Sequence, residues 1–512
     1  MRRKFQSESN IPASPATFPE FDDGEVKKGG SKQKEKEDYY YQQQENIQRE
    51  MLAFAKQQKE ATSTSKKQKK LSMWSKDYWA LLGGVFILTF FLAIPFLYIL
   101  LTRLGIGHYF PNQTEYLNMK PLLPESSLEV VAKLQFPPGN VAVSSEGRIF
   151  FSFHPEFSPP VSVAELHPSS EESLYTPWSP FPSREFQRNY HSVLSLHIDR
   201  QSRLWLLDFA HHAIQASPAL YAFQLASGTS KTDNLVVSYS FPSDVAGFGS
   251  MLNDFQVDPT GEFVYIIDTS ILALTPAIIV YSVSANRAYR MLQGHTSLFG
   301  SSAMIQIYGS APNTVLRFGP LGMQIHADSI ALDRTGSRFY YGALTSNRLY
   351  SINTNNLLGH VRRLQQINSS SNTVADKALQ EYVRLVTTEK PITDGLTSDS
   401  QGNLWLTAVE HSSLFLALPK IPKETSVVGV TDVHSLDFVK VVSSPSLLRW
   451  PDGFSFGPDG LYVTNSALHL KFSRQNATAH RPFHIVRLPT REIEGLRSVY
   501  GKRRFQLPAS GH

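Results

Sequence analysis

One unit recurs six times along the chain, and a recurrence on that scale constrains the fold more than any single motif. Each copy opens on a short polar start, runs through an alternating apolar strand, turns tightly and returns on a second apolar strand. The copies are residues 139–153 (GNVAVSSEGRIFFSF), 192–209 (SVLSLHIDRQSRLWLLDF), 253–268 (NDFQVDPTGEFVYIID), 328–344 (DSIALDRTGSRFYYGAL), 394–408 (DGLTSDSQGNLWLTA) and 452–464 (DGFSFGPDGLYVT). The turns Asp258-Pro-Thr-Gly261, Asp333-Arg-Thr-Gly336 and Asp399-Ser-Gln-Gly402 read as hairpin loops, with Asp bonding local backbone and Gly taking a left-handed conformation. Those aspartates are structural.

The strands after the turns are aromatic and β-branched, as buried strands should be. Further strand-like runs follow several of them, at 219–225, 277–283, 348–352 and 413–418, which gives about four strands per unit. Successive turn glycines lie roughly 55 to 75 residues apart, and the excess falls in polar loops such as 167–190, 226–250, 285–325 and 355–392. A β-propeller absorbs such insertions on its faces. The fold class expected is therefore all-β, a six-bladed propeller over residues 128–505, with one terminal segment, 128–136 or 483–487, completing a blade shared by both ends.

Ahead of the propeller, residues 79–101 (WALLGGVFILTFFLAIPFLYILL) carry no charge. At ~1.5 Å per residue that length crosses about 30 Å of hydrocarbon, so a single transmembrane helix is expected. Lys66, Lys67, Lys69, Lys70 and Lys76 precede it, which keeps the N-terminus cytoplasmic and the propeller lumenal or extracellular. The tail, residues 1–77, holds 16 Lys+Arg against 12 Asp+Glu and few aliphatics, and is expected to be disordered. A linker, 102–127, follows the helix. Three sequons, at Asn112, Asn368 and Asn476, lie on the far side as candidate glycosylation sites.

The formal charge of +5 resides mostly in the tail, so the nearly neutral propeller offers no footprint for nucleic acid. The absence of cysteine excludes disulfides, thiolate zinc sites and a cysteine nucleophile. No hydrolase elbow, zincin motif, phosphate loop or dinucleotide pattern is present. What remains is positional. Asn253, Asp254, Asp328, Asp394 and Asp452 open the first strands of four units, and equivalent positions of successive blades converge on a propeller axis. Carboxylates gathered there repel one another unless a cation compensates. His326, two residues before Asp328, is a further channel candidate able to titrate near neutrality.

These blocks, in their order and spacing, resemble the major royal jelly protein/yellow family over nearly all of 128–505, notably HIDRQSRLWLLDF, DSIALDRTGSRFYYGALTSNRLYSINT and RWPDGFSFGPDGLYVTNSALHLKF. The resemblance implies a six-bladed propeller, usually secreted, with a small-molecule pocket in the central channel of some members. Biogenic amines are ligands in some, and conversion of melanin precursors is attributed to others. This chain departs in its tail and anchor and in lacking cysteine. A more distant likeness is to gluconolactonase/regucalcin propellers, which hold one divalent cation such as calcium. It implies metal ligation by Asn253, Asp328 and Asp394, while Gly139 and Asn140 stand where their first-blade glutamate would be. Two function classes stay open: a membrane-anchored propeller binding a small cationic or aromatic molecule, and a metal-dependent hydrolase or isomerase. A pure interaction scaffold is a third.

Overall fold

The computed structural model describes residues 53, 56, 76–103, 113–167, 173–226, 232–301, 305–308, 314–318, 321–322, 324–370, 373–419 and 436–500. The expectations for nearly all of the tail, for residues 104–112 of the linker and for Asn112 of the first sequon lie outside these residues.

Six four-stranded antiparallel sheets form the blades of a propeller. The innermost strands are Pro138–Val143, Val193–Ile198, Leu252–Val257, Ala327–Leu332, Leu396–Ser398 and Pro451–Gly457, in chain order. The sixth blade is closed by both ends of the domain. Its outermost strand is Glu129–Leu134, paired with Phe483–Pro489 in the register Glu129↔Arg487 to Leu134↔Phe483. The N-terminal segment is thus the one that completes the shared blade, and closure leaves no free inner edge.

The second strands are the most apolar, for example Phe263–Asp268 and Leu404–Ala408, and five buried residues make up the latter. They sit mid-blade, covered on both faces by neighbouring blades. The turns behave as their chemistry demands. Asp258 Oδ1 accepts the N–H groups of Glu262 and Phe263, each at 2.8 Å, and Gly261 takes φ +72°. Asp399 does the same for Gln401 and Asn403, at 2.8 and 3.0 Å.

Several segments read as polar loops carry structure instead. Trp178–Pro180 and Asn234–Ser240 are outer strands of the first and second blades. Thr354–Gln366 and Thr373–Gln380 are helices, the first capped by Asn353 and burying Leu357, Val361 and Leu364 at helical spacing. Ile305–Ile307, Thr314–Phe318 and Leu321–Gly322 make a separate three-stranded sheet. That sheet is pinned to the fifth blade, where Glu410 Oε1 accepts the N–H of Gln306 and its carbonyl that of Tyr308, both at 2.8 Å. Short strands interrupted by polar residues give too weak a period to be read.

Lys76–Arg103 form one helix of 28 residues, with Val85, Phe86, Leu88, Phe91, Leu92 and Phe96 all exposed. The side chains of its two ends and of Pro95 lie outside the described residues. Among those described, no helix is long and apolar enough to cross a membrane.

Candidate functional site

Five of the six innermost strands carry a bulge near their start: between Pro138 and Val141, Val193 and Ser195, Leu252 and Asp254, Ala327 and Ser329, and Pro451 and Phe454. A bulge bends the strand and re-aims the extra residue. Here it turns Asn140, Leu194, Asn253, Asp328 and Asp452 toward the axis. A hydroxyl on the second strand holds the backbone at the start of the innermost strand in three blades, two of them bulged. Ser152 accepts from Asn140 N–H, Thr407 from Gly395 N–H and Thr464 from Gly453 N–H, each at 2.9 Å. Space at the axis is tight: a Cβ on Gly395 would stand 1.8 Å from the Asp452 carbonyl oxygen.

These positions line one cavity of about 870 Å³ in the central channel. Asn253, Asp254, Asp328, Asp394 and Asp452 all face it, so the structure brings together the acidic set expected from the repeats. His326 is not among the lining residues. Its ring is buried against Phe299 at 4.9 Å between centroids, and its Nδ1 accepts from Gly300 N–H at 3.3 Å.

Electrostatics in the cavity are dominated by burial and crowding. Asp254 is pushed up to about 7, chiefly by desolvation, with Asp394 adding repulsion and the N–H of Phe255 at 2.8 Å opposing it. Desolvation raises Asp394 to about 6, against the hydrogen bond from Trp450 and the charge of Lys390. Asp328 and Asp452 are both raised by burial and then by the neighbouring carboxylates. Asp328 is closed off at 4% exposure, whereas Asp254, Asp394 and Asp452 are half-buried and open to the cavity, where water tempers the cost. The Nδ2 of Asn253 donates to Asp328 Oδ1.

Sequence reasoning missed Lys390. It is fully buried, its Nζ donates to the Pro391 carbonyl at 3.0 Å, and its stem packs over Gly342, the register partner of Ser329 beside Asp328. Burial lowers it to about 7, opposed by the charges of Asp328 and Asp394. Its position four residues before Asp394 carries no periodic signal. Trp450, immediately before the Pro-Asp-Gly of the last unit, is fully buried and was likewise unassigned.

A divalent cation fits this set poorly. Among the described residues, no three histidine or acidic side chains have the spacing to hold a metal ion. The Asn253 amide points a donor at Asp328, and Lys390 already supplies positive charge beside two of the expected ligands. The sequons at Asn368 and Asn476 are both exposed, and Asn476 Oδ1 accepts from the Thr478 hydroxyl at 2.7 Å.

No curated protein matches the chain. Solved structures similar to it include a luciferin-regenerating enzyme, at 14% identity and TM-score 0.41 over 70% of this chain and 94% of that one. Regucalcin, a calcium-binding protein from Agrobacterium tumefaciens, gives 14% and 0.41 over 72% and 95%. A gluconolactonase from Xanthomonas campestris gives 11% and 0.37 over 70% and 88%. Residues 191–495, more than half of the sequence and spanning blades two to six, match the family described as Major royal jelly protein. With its six bladed units and their order along the chain, this protein belongs to the major royal jelly protein family.

Proposed function

We propose that the propeller binds a small cationic ligand in its central cavity, on the far side of a membrane that the helix Lys76–Arg103 crosses with the N-terminus cytoplasmic. One observation carries the binding reading: Asp254, Asp328, Asp394 and Asp452 face one cavity, and the charge of the buried Lys390 offsets only part of their repulsion, at Asp328 and Asp394. An amine entering the cavity relieves repulsion that the folded chain otherwise bears. Aromatic walls are not required for this, but an aromatic body suits the apolar part of the lining, which includes Phe454, Phe456 and Phe472.

The anchor reading rests on the 23 uncharged residues at 79–101 and on the lysines that precede them. The test of binding is thermal: phenethylamine or tetramethylammonium should raise the Tm of the purified full chain. Calcium-dependent lactone hydrolysis, with no response to amines, would instead favour a metal-dependent hydrolase. For topology, protease added from the cytoplasmic side of sealed vesicles should remove the tail and spare residues 128–505.

A further inference from the structure

The inner strands begin at the acidic end of the cavity and finish in the Asp–Gly turns at the other, so the propeller has a carboxylate face and a turn face. Connections leaving the second strands, and those leading into the next blade, lie on the carboxylate face. Three of them, residues 209–216, 242–251 and 269–276, present Ile214, Phe248, Leu272 and Leu274 at 54%, 75%, 52% and 60% exposure. Phe248 is the most exposed large hydrophobic side chain among the described residues. The loops brace one another: Gly249 N–H donates to the His212 carbonyl at 2.9 Å and Ala273 N–H to the Gly249 carbonyl at 3.2 Å. Leu272 and His212 also line the cavity, so this apolar rim borders the mouth. An apolar patch held rigidly in water calls for a partner.

The chain indicates which partner. The segment that leads into the propeller arrives on the same face. Tyr116, in the helix Gln113–Asn118, donates its hydroxyl to the Glu389 carbonyl and lies edge-on to His411 at 6.3 Å. Both contacts belong to carboxylate-face connections of the fourth and fifth blades. Nine residues separate Arg103 from Gln113. Fully extended they reach at most about 30 Å, so a chain anchored by residues 79–101 keeps this face close to lipid.

We infer that the carboxylate face lies against the lipid surface, with Ile214, Phe248, Leu272 and Leu274 seated among the headgroups and the cavity mouth opening at the bilayer. The inference rests on the anchor reading. Its depth of insertion is that of an interfacial apolar contact, ~5–10 Å. A ligand then reaches the carboxylates from the membrane interface, which concentrates amphiphilic amines.

The chain contains no cysteine, so single-cysteine labelling reads the orientation directly. Full-length Phe248→Cys, Leu274→Cys and, on the turn face, Glu146→Cys are labelled with a fluorophore and reconstituted into phosphatidylcholine vesicles bearing a doxyl-lipid quencher. The expected result is quenching several-fold stronger at 248 and 274 than at 146. Equal quenching at all three, or stronger quenching at 146, in protein that floats with the vesicles overturns the orientation and leaves the anchor standing; a protein partner on the loops would give that result. Full-length protein that fails to float with vesicles overturns the anchor reading and this inference with it.

Discussion

The indole N–H of Trp450, fully buried in the approach to the sixth blade, donates to Oδ2 of Asp394, which opens the fifth. The bond holds Asp394 in its charged form against the desolvation that raises it to about 6. Trp450→Phe removes the donor and keeps an aromatic ring, so the Asp394 carboxyl should rise further. A hydrogen bond to a charged group contributes about 1.5–3 kcal/mol. The acid limb of amine binding, followed calorimetrically with phenethylamine from pH 5.5 to 8, should therefore move to higher pH.

Two groups of the site, Asp254 and Lys390, should each cost stability most fully near neutrality. Asp254, raised to about 7, holds a proton in the folded chain that the unfolded chain releases near pH ~4. Its cost is absent below that pH and grows as pH rises toward 7. Lys390 runs the other way: the unfolded chain keeps its proton to about pH 10.4, while the folded one releases it near 7. Its cost grows as pH falls. The Tm of Asp254→Asn relative to the parent should climb between pH 4 and 7, and that of Lys390→Met should climb between pH 10 and 7. Flat differences across those windows would contradict the assignment.

Replacing Asp328 and Asp394 together by Asn should abolish amine binding and leave Tm unchanged or higher, because it removes like charges from one enclosure. Unfolding of the variant, with binding intact in the folded fraction, would identify both residues as braces of their blades. Differential scanning fluorimetry with and without tetramethylammonium separates the two outcomes.

Gly395→Ala addresses the packing that lets the fifth and sixth blades meet. The added Cβ falls 1.8 Å from the Asp452 carbonyl oxygen, which is backbone and has no rotamer to yield. Overpacking costs about 1–3 kcal/mol, and a clash with backbone belongs at the upper end. The denaturant midpoint should fall accordingly, with Asp452 displaced and amine affinity reduced alongside.

Ring closure can be tested at Phe483, buried opposite Leu134 in the shared blade. Phe483→Ala should cost about 3–5 kcal/mol. Truncation near residue 480 removes the strand Phe483–Pro489 altogether and strands Glu129–Leu134 without a partner. Aggregation on size-exclusion chromatography is the expected result, since the edge of Gly460–Asn465 that paired with the lost strand is then open.

Much of this architecture was legible because propeller blades repeat their chemistry. The Asp258, Asp333 and Asp399 turns announce the hairpins, and the residues that open each unit locate the axis without reference to the rest of the chain. The shared blade followed from two strand-like ends with nothing else to pair. Lys390 was invisible for a physical reason: it comes within range of the Asp328 and Asp394 charges from a connection, outside any period, and a lysine in a polar stretch ordinarily reads as solvated. The three-stranded sheet at Ile305–Gly322 escaped notice because strands of two to five residues leave no alternation to detect. His326 stood two residues before Asp328, a spacing that alternation would put on one side, but it precedes the strand Ala327–Leu332 and the bulge between Ala327 and Ser329 breaks the alternation, so its ring went to Phe299.

The pairing of Glu129 with Arg487 spans 358 positions. At ~5–20 residues per second of synthesis, the first strand of the domain waits on the order of tens of seconds for its partner to be made. During that interval five blades are complete and the sixth has no outer half. The growing chain therefore exposes an unpaired strand at one end and an open blade at the other, a period in which chaperones have something to hold and a stalled ribosome leaves an incomplete ring. Quality control of this protein is set by its last twenty or so residues of structure, since only their arrival turns a row of blades into a circle.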